Sequence, residues 1–475
     1  LWSRHVCCEG FNRLEAFDYE AVKHLQIHIH GAKGEVTLHR AGVRLREYAW
    51  PSQPQFQVDD SELQRLFEAN IQTIRNSVQD ITVDGMARER QQYSGDCGHQ
   101  LQYVQPAFGT TAPFARFLRH YGQGQLPSGV FMDSWPCGDR LSRLWQKPFG
   151  LSDWGPIIDH SIGFCLDHYH YWMNSGDLEP VKENWPKLMK FARFIESELE
   201  GGVMDAVRSA AGQHSVWIDH IAFRRQEEKS LALTLYAAAA LGHGLAPLGE
   251  AMGQVEDAAW LRTISTGMAQ AAEARWWSKE KQAFVNSPDG RMDDRSLATA
   301  LLFGFGPKGG GRMAEILVEQ PADLGLSYPA NTPWLYWALI ESGKTEAVIK
   351  DLKKRWVGLP SVVLNGSIQE MWNIELGSIH LMSHCAVGPL TALYHGLLGL
   401  KPQKPGFAEY QIRPILGGLK SVEITTHLPI GALHLRLSES KCEVLSPDQG
   451  TGWISIKGEK SLLKPGAWQS FAPSD

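Results

Sequence analysis

Asp84-Gly-Met-Ala-Arg-Glu-Arg-Gln-Gln-Tyr-Ser-Gly-Asp96 sets three carboxylates, two arginines and a tyrosine close together between two helical stretches. With a near-helical backbone after Arg88, the residues Glu89, Tyr93 and Asp96 fall at i, i+4 and i+7 on one face. An acid beside an aromatic ring and a second carboxylate suits chemistry on a sugar. A solvated helix gives the same pattern, with Asp84-Gly85 as a turn and Asp96 as a cap.

Upstream of this stretch, Leu63, Leu66, Phe67, Ile71 and Ile74 form a helical stripe that Asp59 or Asp60 caps. Downstream, helical patterns recur to about residue 398: Asp159 to Trp172, Pro180 to Leu199, Leu231 to Leu241, Ala251 to Arg275, Leu297 to Phe303, Trp334 to Ser342 and Cys385 to Leu398. Loops rich in Gly, Pro, Trp and Asp separate them, as in 127–151 and 327–333. Hairpin pairs with long loops on one side predict an α/α toroid, although no repeat of fixed period is present.

The ends read differently. Leu25-Gln-Ile-His-Ile-His and Glu35-Val-Thr-Leu-His alternate in period two about a turn at Gly31 to Gly34, and Pro51 to Pro54 marks a boundary. After Leu400, alternation returns in Tyr410-Gln-Ile-Arg-Pro, Val422-Glu-Ile-Thr-Thr, Leu433-His-Leu-Arg-Leu and Trp453-Ile-Ser-Ile. The expected architecture is mainly α: residues 1–55 as the tail of an N-terminal β-sandwich, 56–400 as the helical toroid, and 401–475 as a C-terminal β-sandwich. Leu1-Trp2, with no initiator Met, leads us to expect a fragment with further chain upstream.

Composition bounds the function. A net charge of −6 with no basic patch argues against nucleic acid as a partner. No apolar run approaches the roughly 18 residues of a membrane span. The 7 cysteines are scattered, so neither a disulfide framework nor a zinc spacing emerges, and they assign no compartment. The 17 tryptophans suit a core and also pockets that stack on sugar rings. Asp167, His168 and His170 are candidate metal ligands by type, but two histidines two apart on a helix point in different directions. Gly309 to Gly311 lacks the Lys-Ser or Lys-Thr of a phosphate loop, and no Gly-x-Ser-x-Gly elbow occurs.

Cleaving a glycosidic bond needs two carboxyl groups, one donating a proton to the leaving oxygen and one attacking or activating water. The donor needs a raised pKa, and Asp84 and Asp96 are candidate neighbours that would raise that of Glu89. A second stretch, Ser367-Ile-Gln-Glu-Met-Trp372, followed by Ser383-His-Cys-Ala-Val-Gly-Pro-Leu, offers Glu370 beside Trp372 and His384 at the start of an apolar helix. Taken singly, such a Glu is a surface residue and such a His a cap or core residue.

Together the two stretches resemble the inverting α-L-rhamnosidases of glycoside hydrolase family 78. That family carries Asp-Gly-x-x-Arg-Glu-Arg-x-x-Trp-x-Gly-Asp, matched at Asp84, Gly85, Arg88, Glu89, Arg90, Gly95 and Asp96. Its Ile-x-Glu-x-Trp run and x-His-x-x-x-Gly are matched at Ile368, Glu370, Trp372, His384 and Gly388, and Gly399-Leu-Lys-Pro, Pro405-Gly-Phe and Ile412-Arg-Pro are similar to its exit into a C-terminal sandwich. The resemblance covers nearly the whole chain. It implies an (α/α)6 barrel, or six-hairpin toroid, flanked by β-sandwich segments. Glu89 would be general acid and Glu370 general base, and Asp84, Arg88, Asp96 and His384 would hold the sugar or tune the acid. Asp153-Trp154 and Trp217-Ile-Asp219 are similar to further pocket pairs, and Tyr93 and Trp372 would supply aromatic wall. The expected substrate is a terminal α-L-rhamnose or similar deoxy-sugar on a glycoside or polysaccharide, with no cofactor.

The chain departs from the family at Tyr93 (usually Trp), Met86 (often Pro), Gln369 (often aromatic) and His220 (often Trp), all read as pocket-wall positions. Two other functional classes fit the same residues. One is a carbohydrate-binding relative without catalysis. The other is a different glycosidase or a uronic-acid lyase on the same barrel, with Tyr93 or His384 as base.

Overall fold

A computed structural model describes residues 3–16, 22, 24–86, 89–136, 155–211, 214–219, 221–381 and 383–473. Among these, outer and inner helices alternate six times. The outer ring is Ser61–Ser77, Ala112–Tyr121, Glu179–Glu198, Val255–Trp276, Met313–Glu319 and Thr345–Arg355. The inner ring starts with Ser94–Leu101 and Val104–Phe108, then Ile158–Ser175, Lys229–Ala239 (continued as a π-turn through Leu245), Asp294–Phe303, Thr332–Glu341 and Pro389–Thr391 (continued through Leu397). The fold is the expected six-hairpin toroid with sheets beside it.

Sequence pattern marks the ring of some helices plainly. The outer helix Ser61–Ser77 is amphipathic: it buries Leu63, Leu66, Phe67, Ile71 and Ile74, and Asp60 caps it by accepting from the N–H groups of Glu62 and Leu63, both at 3.1 Å. The inner helix Lys229–Ala239 is covered on every face by its neighbours. Each residue of Lys229–Ala239 is buried, and its alanines admit close helix approach. The ring closes where the Tyr103 hydroxyl meets Thr391 Oγ1 and the Tyr103 ring stacks on Tyr394 at 6.2 Å.

The connections are unequal, and this places the site. Inner-to-outer links are short (109–111, 176–178, 252–254, 342–344, with 304–312 longer). Outer-to-inner links are long (78–93, 122–157, 199–228, 277–293, 320–331, 356–388), and their described residues lie at the N-terminal ends of the inner helices.

Beside the barrel, strands Gln55–Val58, Ser421–Leu428, Gly431–Ser438, Cys442–Leu445 and Trp468–Phe471 form an antiparallel sheet in that order. A second sheet runs Glu459–Leu462, Thr451–Ile456, Glu409–Ile412, Lys401–Pro402. Phe56 pairs with Ile424 and Ile424 with Leu435, so the segment entering the barrel is the edge strand of the sheet that follows it. The expected strands at Leu25 to His30 and Glu35 to His39 are not formed. Both segments are exposed coil, with Ile27 50%, Val36 54% and Leu38 59% accessible. Alternation makes a strand only when a neighbouring strand takes its N–H and C=O groups, and none lies alongside among the described residues.

Candidate active site

The stretch 84–96 is a closed loop that runs into a helix. Asp84 donates its N–H to Gln91 O (2.9 Å), and Gln91 returns its N–H to Asp84 Oδ1 (2.8 Å). Arg90 adopts a left-handed φ of 53°, Tyr93 is extended and bridges Ser134, and the helix begins at Ser94. The expected single helical face of Glu89, Tyr93 and Asp96 is therefore absent, because the backbone bonds to Asp84 and the turn at Arg90 exclude a helix before Ser94. Gln92, which sequence reading passed over, fixes the loop. Buried, it accepts from Thr82 N (3.2 Å) and donates to Trp135 O (2.7 Å). Gly95 lies so close to the His160 ring that a Cβ there would sit 2.6 Å from its atoms.

The second signature lands on the first. Cys385 N–H donates to Asp84 O at 2.8 Å, and Gly85 and His384 pair as an isolated antiparallel bridge. Asp96 Oδ1 accepts from Cys385 Sγ at 3.1 Å and lies 3.9 Å from His384 Nε2. His384 does not open a helix: its N–H donates to Ile368 O (2.8 Å), and the helix starts at Pro389. Gly388 before it is also a close approach, since a Cβ would meet Thr332 Oγ1 at 2.2 Å. Glu370 is 7% exposed, its N–H donates to His380 O (3.1 Å), and its Oε2 hydrogen-bonds His380 Nδ1.

Gln369 is not a wall residue. Fully buried, it brackets the loop, accepting from Ser361 N (3.2 Å) and donating to Met371 O (2.7 Å) and Trp372 O (3.2 Å). Met86 and Tyr93 are buried as well, the Tyr93 ring edge-on to His160. Trp372 packs against Arg355 and Trp356 and donates its indole N–H to Ser327 O at 3.0 Å.

Beside Asp96 opens a cavity that Asp159, Trp217, Asp219, Arg295 and Tyr328 also line. Asp159, in the first turn of its helix, accepts from Trp217 N (2.8 Å) and Ile218 N (2.9 Å). Asp219, at φ 69°, accepts from Ile221 N (3.0 Å), Ala222 N (3.1 Å), Tyr328 N (2.9 Å) and Asn331 Nδ2 (3.1 Å). Four donors fill what a carboxylate can accept. Asp219 is thus a bolt between two loops. Arg295 is clamped between the Tyr236 and Trp334 rings, 4.3 and 4.1 Å from their centroids. Asp294 beside it accepts from Ser327 N (2.8 Å) and Oγ (2.6 Å).

Electrostatics follow from burial. Asp84 is held well above the ordinary carboxylate range by desolvation first, then by the charges of Asp96 and Glu89, which places half-buried Glu89 within its electrostatic reach. Burial lifts Asp294 to about 7. Burial, then the Arg295 charge, lowers His99 to about 4. The Tyr328 phenol is pushed well up by desolvation and then by Asp96, with Asp219 and Glu370 among the further charges.

Arg88, Asp153, Trp154 and His220 lie outside the described residues. Of the other expected site residues, Asp84, Asp96 and His384 come together directly, Glu89 lies beside Asp84, and Trp217 and Asp219 reach the same cavity. Asp159, Arg295 and Tyr328 were missed. Their only sequence signals are an Asp opening an apolar helix, an Arg following Asp293-Asp294, and an aromatic in the 327–333 loop. Asp167, His168 and His170 make no metal cluster: His168 bonds Phe164 O and Asn184, and Asp167 lies against Gly98.

Six helical hairpins with carboxylates gathered over one end define a six-hairpin glycosidase fold. Residues 51–389 match the bacterial α-L-rhamnosidase six-hairpin glycosidase domain, and the chain belongs to that family. It is 25% identical over 382 residues to an α-L-rhamnosidase of Alteromonas sp. (strain LOR), covering 75% of this chain and 39% of that protein. Among solved structures it is similar to a Streptomyces avermitilis α-L-rhamnosidase complexed with L-rhamnose (TM-score 0.72, 18% identity, 90% of this chain and 42% of that one). It is also similar to a GH78 family rhamnosidase of Bacillus sp. GL1 (TM-score 0.68, 19% identity, 84% and 41%). The chain thus spans less than half the length of these relatives.

Proposed function

We propose that the chain hydrolyses a terminal α-L-rhamnoside, or a similar deoxy-sugar glycoside, with inversion. Glu89 protonates the leaving oxygen, and Glu370 takes a proton from the water that attacks the opposite face of the sugar. The observation that carries this reading is the joining of the two signatures by Cys385 N–H to Asp84 O and by the Gly85–His384 bridge. An inverting pair needs its carboxyls roughly 6.5–9.5 Å apart, leaving room for one water.

In this reading His380, hydrogen-bonded to Glu370 Oε2, fixes the rotamer of the base. Asp84, its pKa raised by burial and by the Asp96 and Glu89 charges, is the carboxyl neighbour of Glu89. Asp96 and His384 take ring hydroxyls, while Trp217 and Tyr328 give the apolar surface that suits a methyl group where common hexoses carry a hydroxymethyl. Asp219 positions Tyr328 and leaves sugar contact to its neighbours.

The test is a panel of p-nitrophenyl glycosides of deoxy-sugars, with the first-formed anomer read by proton NMR. Release of β-L-rhamnose from the α-L-rhamnoside supports the reading. Release of the α-anomer, which a covalent route at about 5 Å would give, overturns the mechanism. An ultraviolet-absorbing unsaturated product from a uronic-acid substrate, with no hydrolysis of the panel, would assign a lyase instead.

A further inference from the structure

Asp96, His384 and Cys385 form the one grouping of metal-type ligands among the described residues whose donor atoms converge, all within 4.8 Å of one another. The hydrolysis proposed above uses no metal and gives the Cys385 thiol no chemical step. Cys385 Sγ is 3.1 Å from Asp96 Oδ1 and 3.4 Å from His384 Nδ1, and Asp96 Oδ1 is 3.9 Å from His384 Nε2. Tetrahedral zinc, with bonds of about 2.0–2.3 Å, separates its ligand atoms by about 3.3–3.7 Å. One imidazole nitrogen serves one ion, and with each residue giving one atom the three donors lie within 4.8 Å of one another, so side-chain shifts of about 1 Å or more would draw them to bonding distance.

The ligands also stand on fixed backbone. Asp96 lies in the first turn of Ser94–Leu101, His384 N–H is held by Ile368 O and Cys385 N–H by Asp84 O. Of the three ligands, Asp96 lines the cavity.

We propose that Asp96, His384 and Cys385 bind a soft divalent cation, Zn2+ above all, and that its occupancy blocks the sugar cavity. One thiolate, one imidazole and one carboxylate select Zn2+, Co2+ or Cd2+ over the oxygen-seeking Mg2+ and Ca2+. On binding, the Cys385 S–H bond breaks, its electron pair forms the metal–sulfur bond, and the proton leaves to solvent. The site is inhibitory because Asp96 and His384 would otherwise hold the sugar. That consequence rests on the proposed function, whereas metal binding itself does not.

The test uses the full chain carrying Cys7→Ser and Cys8→Ser, which removes the adjacent exposed thiols. Titration with Co2+ is expected to give a sulfur-to-cobalt charge-transfer band saturating at one equivalent, erased by Zn2+ and absent when Cys385→Ser is added. Zn2+ is expected to inhibit p-nitrophenyl α-L-rhamnoside hydrolysis competitively. Cys385→Ser should raise the half-inhibiting concentration by about tenfold or more. No band in the folded Cys7→Ser, Cys8→Ser chain, or a band that survives both Cys385→Ser and Cys385→Ala, overturns the site. Absence of the band needs no Cys385 variant, so that outcome decides even where those variants do not fold. A band without hydrolysis upholds the metal site and defeats the proposed function.

Discussion

Cys385 donates its main-chain N–H to the carbonyl of Asp84 at 2.8 Å, joining the loop of the first hairpin to that of the last. With Gly85 paired to His384 and Asp96 accepting from Cys385 Sγ, the ends of the toroid are sewn together where the proposed chemistry takes place. Catalytic geometry and barrel closure therefore share the same contacts, and changes to either should register in both.

Gly95→Ala tests the close packing behind Asp96. The new methyl would sit 2.6 Å from the His160 ring, which also packs edge-on against Tyr93. Overpacking of this kind costs about 1–3 kcal/mol. The urea midpoint is expected to fall accordingly, and rhamnoside hydrolysis to weaken as the first turn of the helix is displaced.

Asp219→Asn tests the bolt between loops. An amide turns one accepting oxygen into a donor, so one pair of bonds, to Ile221 and Ala222 or to Tyr328 and Asn331, is lost. Leaving buried donors unsatisfied costs about 1–3 kcal/mol. Urea unfolding should show that loss, and steady-state kinetics should show a raised KM as Tyr328 shifts.

His380→Ala removes the ring that orients Glu370. If Glu370 is the base, misaiming it lowers kcat by about tenfold to a hundredfold with little change in KM. Equal kcat in the variant and the parent would show that the pairing does no catalytic work.

Asp294 makes stability depend on pH in a definite direction. Its carboxyl is raised from 3.8 to about 7 by burial, so between those values the folded chain holds a proton that the unfolded chain has released. This contribution is full below pH 3.8 and is lost as pH rises through about 7. Asp294→Asn, uncharged at every pH, should flatten the fall in Tm across that window, read by thermal scans at several pH values.

Much of this was legible in the residue order. The stripe from Leu63 to Ile74 declares an outer helix because only one face meets the core, and Leu231 to Leu241 declares an inner helix because every face does. The two signatures could be matched because Gly95 and Gly388 are glycines for steric reasons. One abuts His160 and the other Thr332, so spacing is tied to packing. What escaped depends on contacts distant in sequence. Arg90 turns left-handed within a loop closed by Asp84 and Gln91, which local helix propensity does not foresee. Tyr328 earns its place only because Asp219 holds its N–H from another hairpin. Leu25 to Leu38 alternates like a strand, yet a strand exists only beside another.

The central claim is that Glu89 and Glu370 act as a pair on one bond. The direct measurement is hydrolysis of p-nitrophenyl α-L-rhamnoside by the parent chain, Glu89→Gln and Glu370→Gln, each confirmed folded by its thermal transition. The account predicts a loss of about a hundredfold or more in kcat for each variant. Parent-level turnover in either one would contradict it.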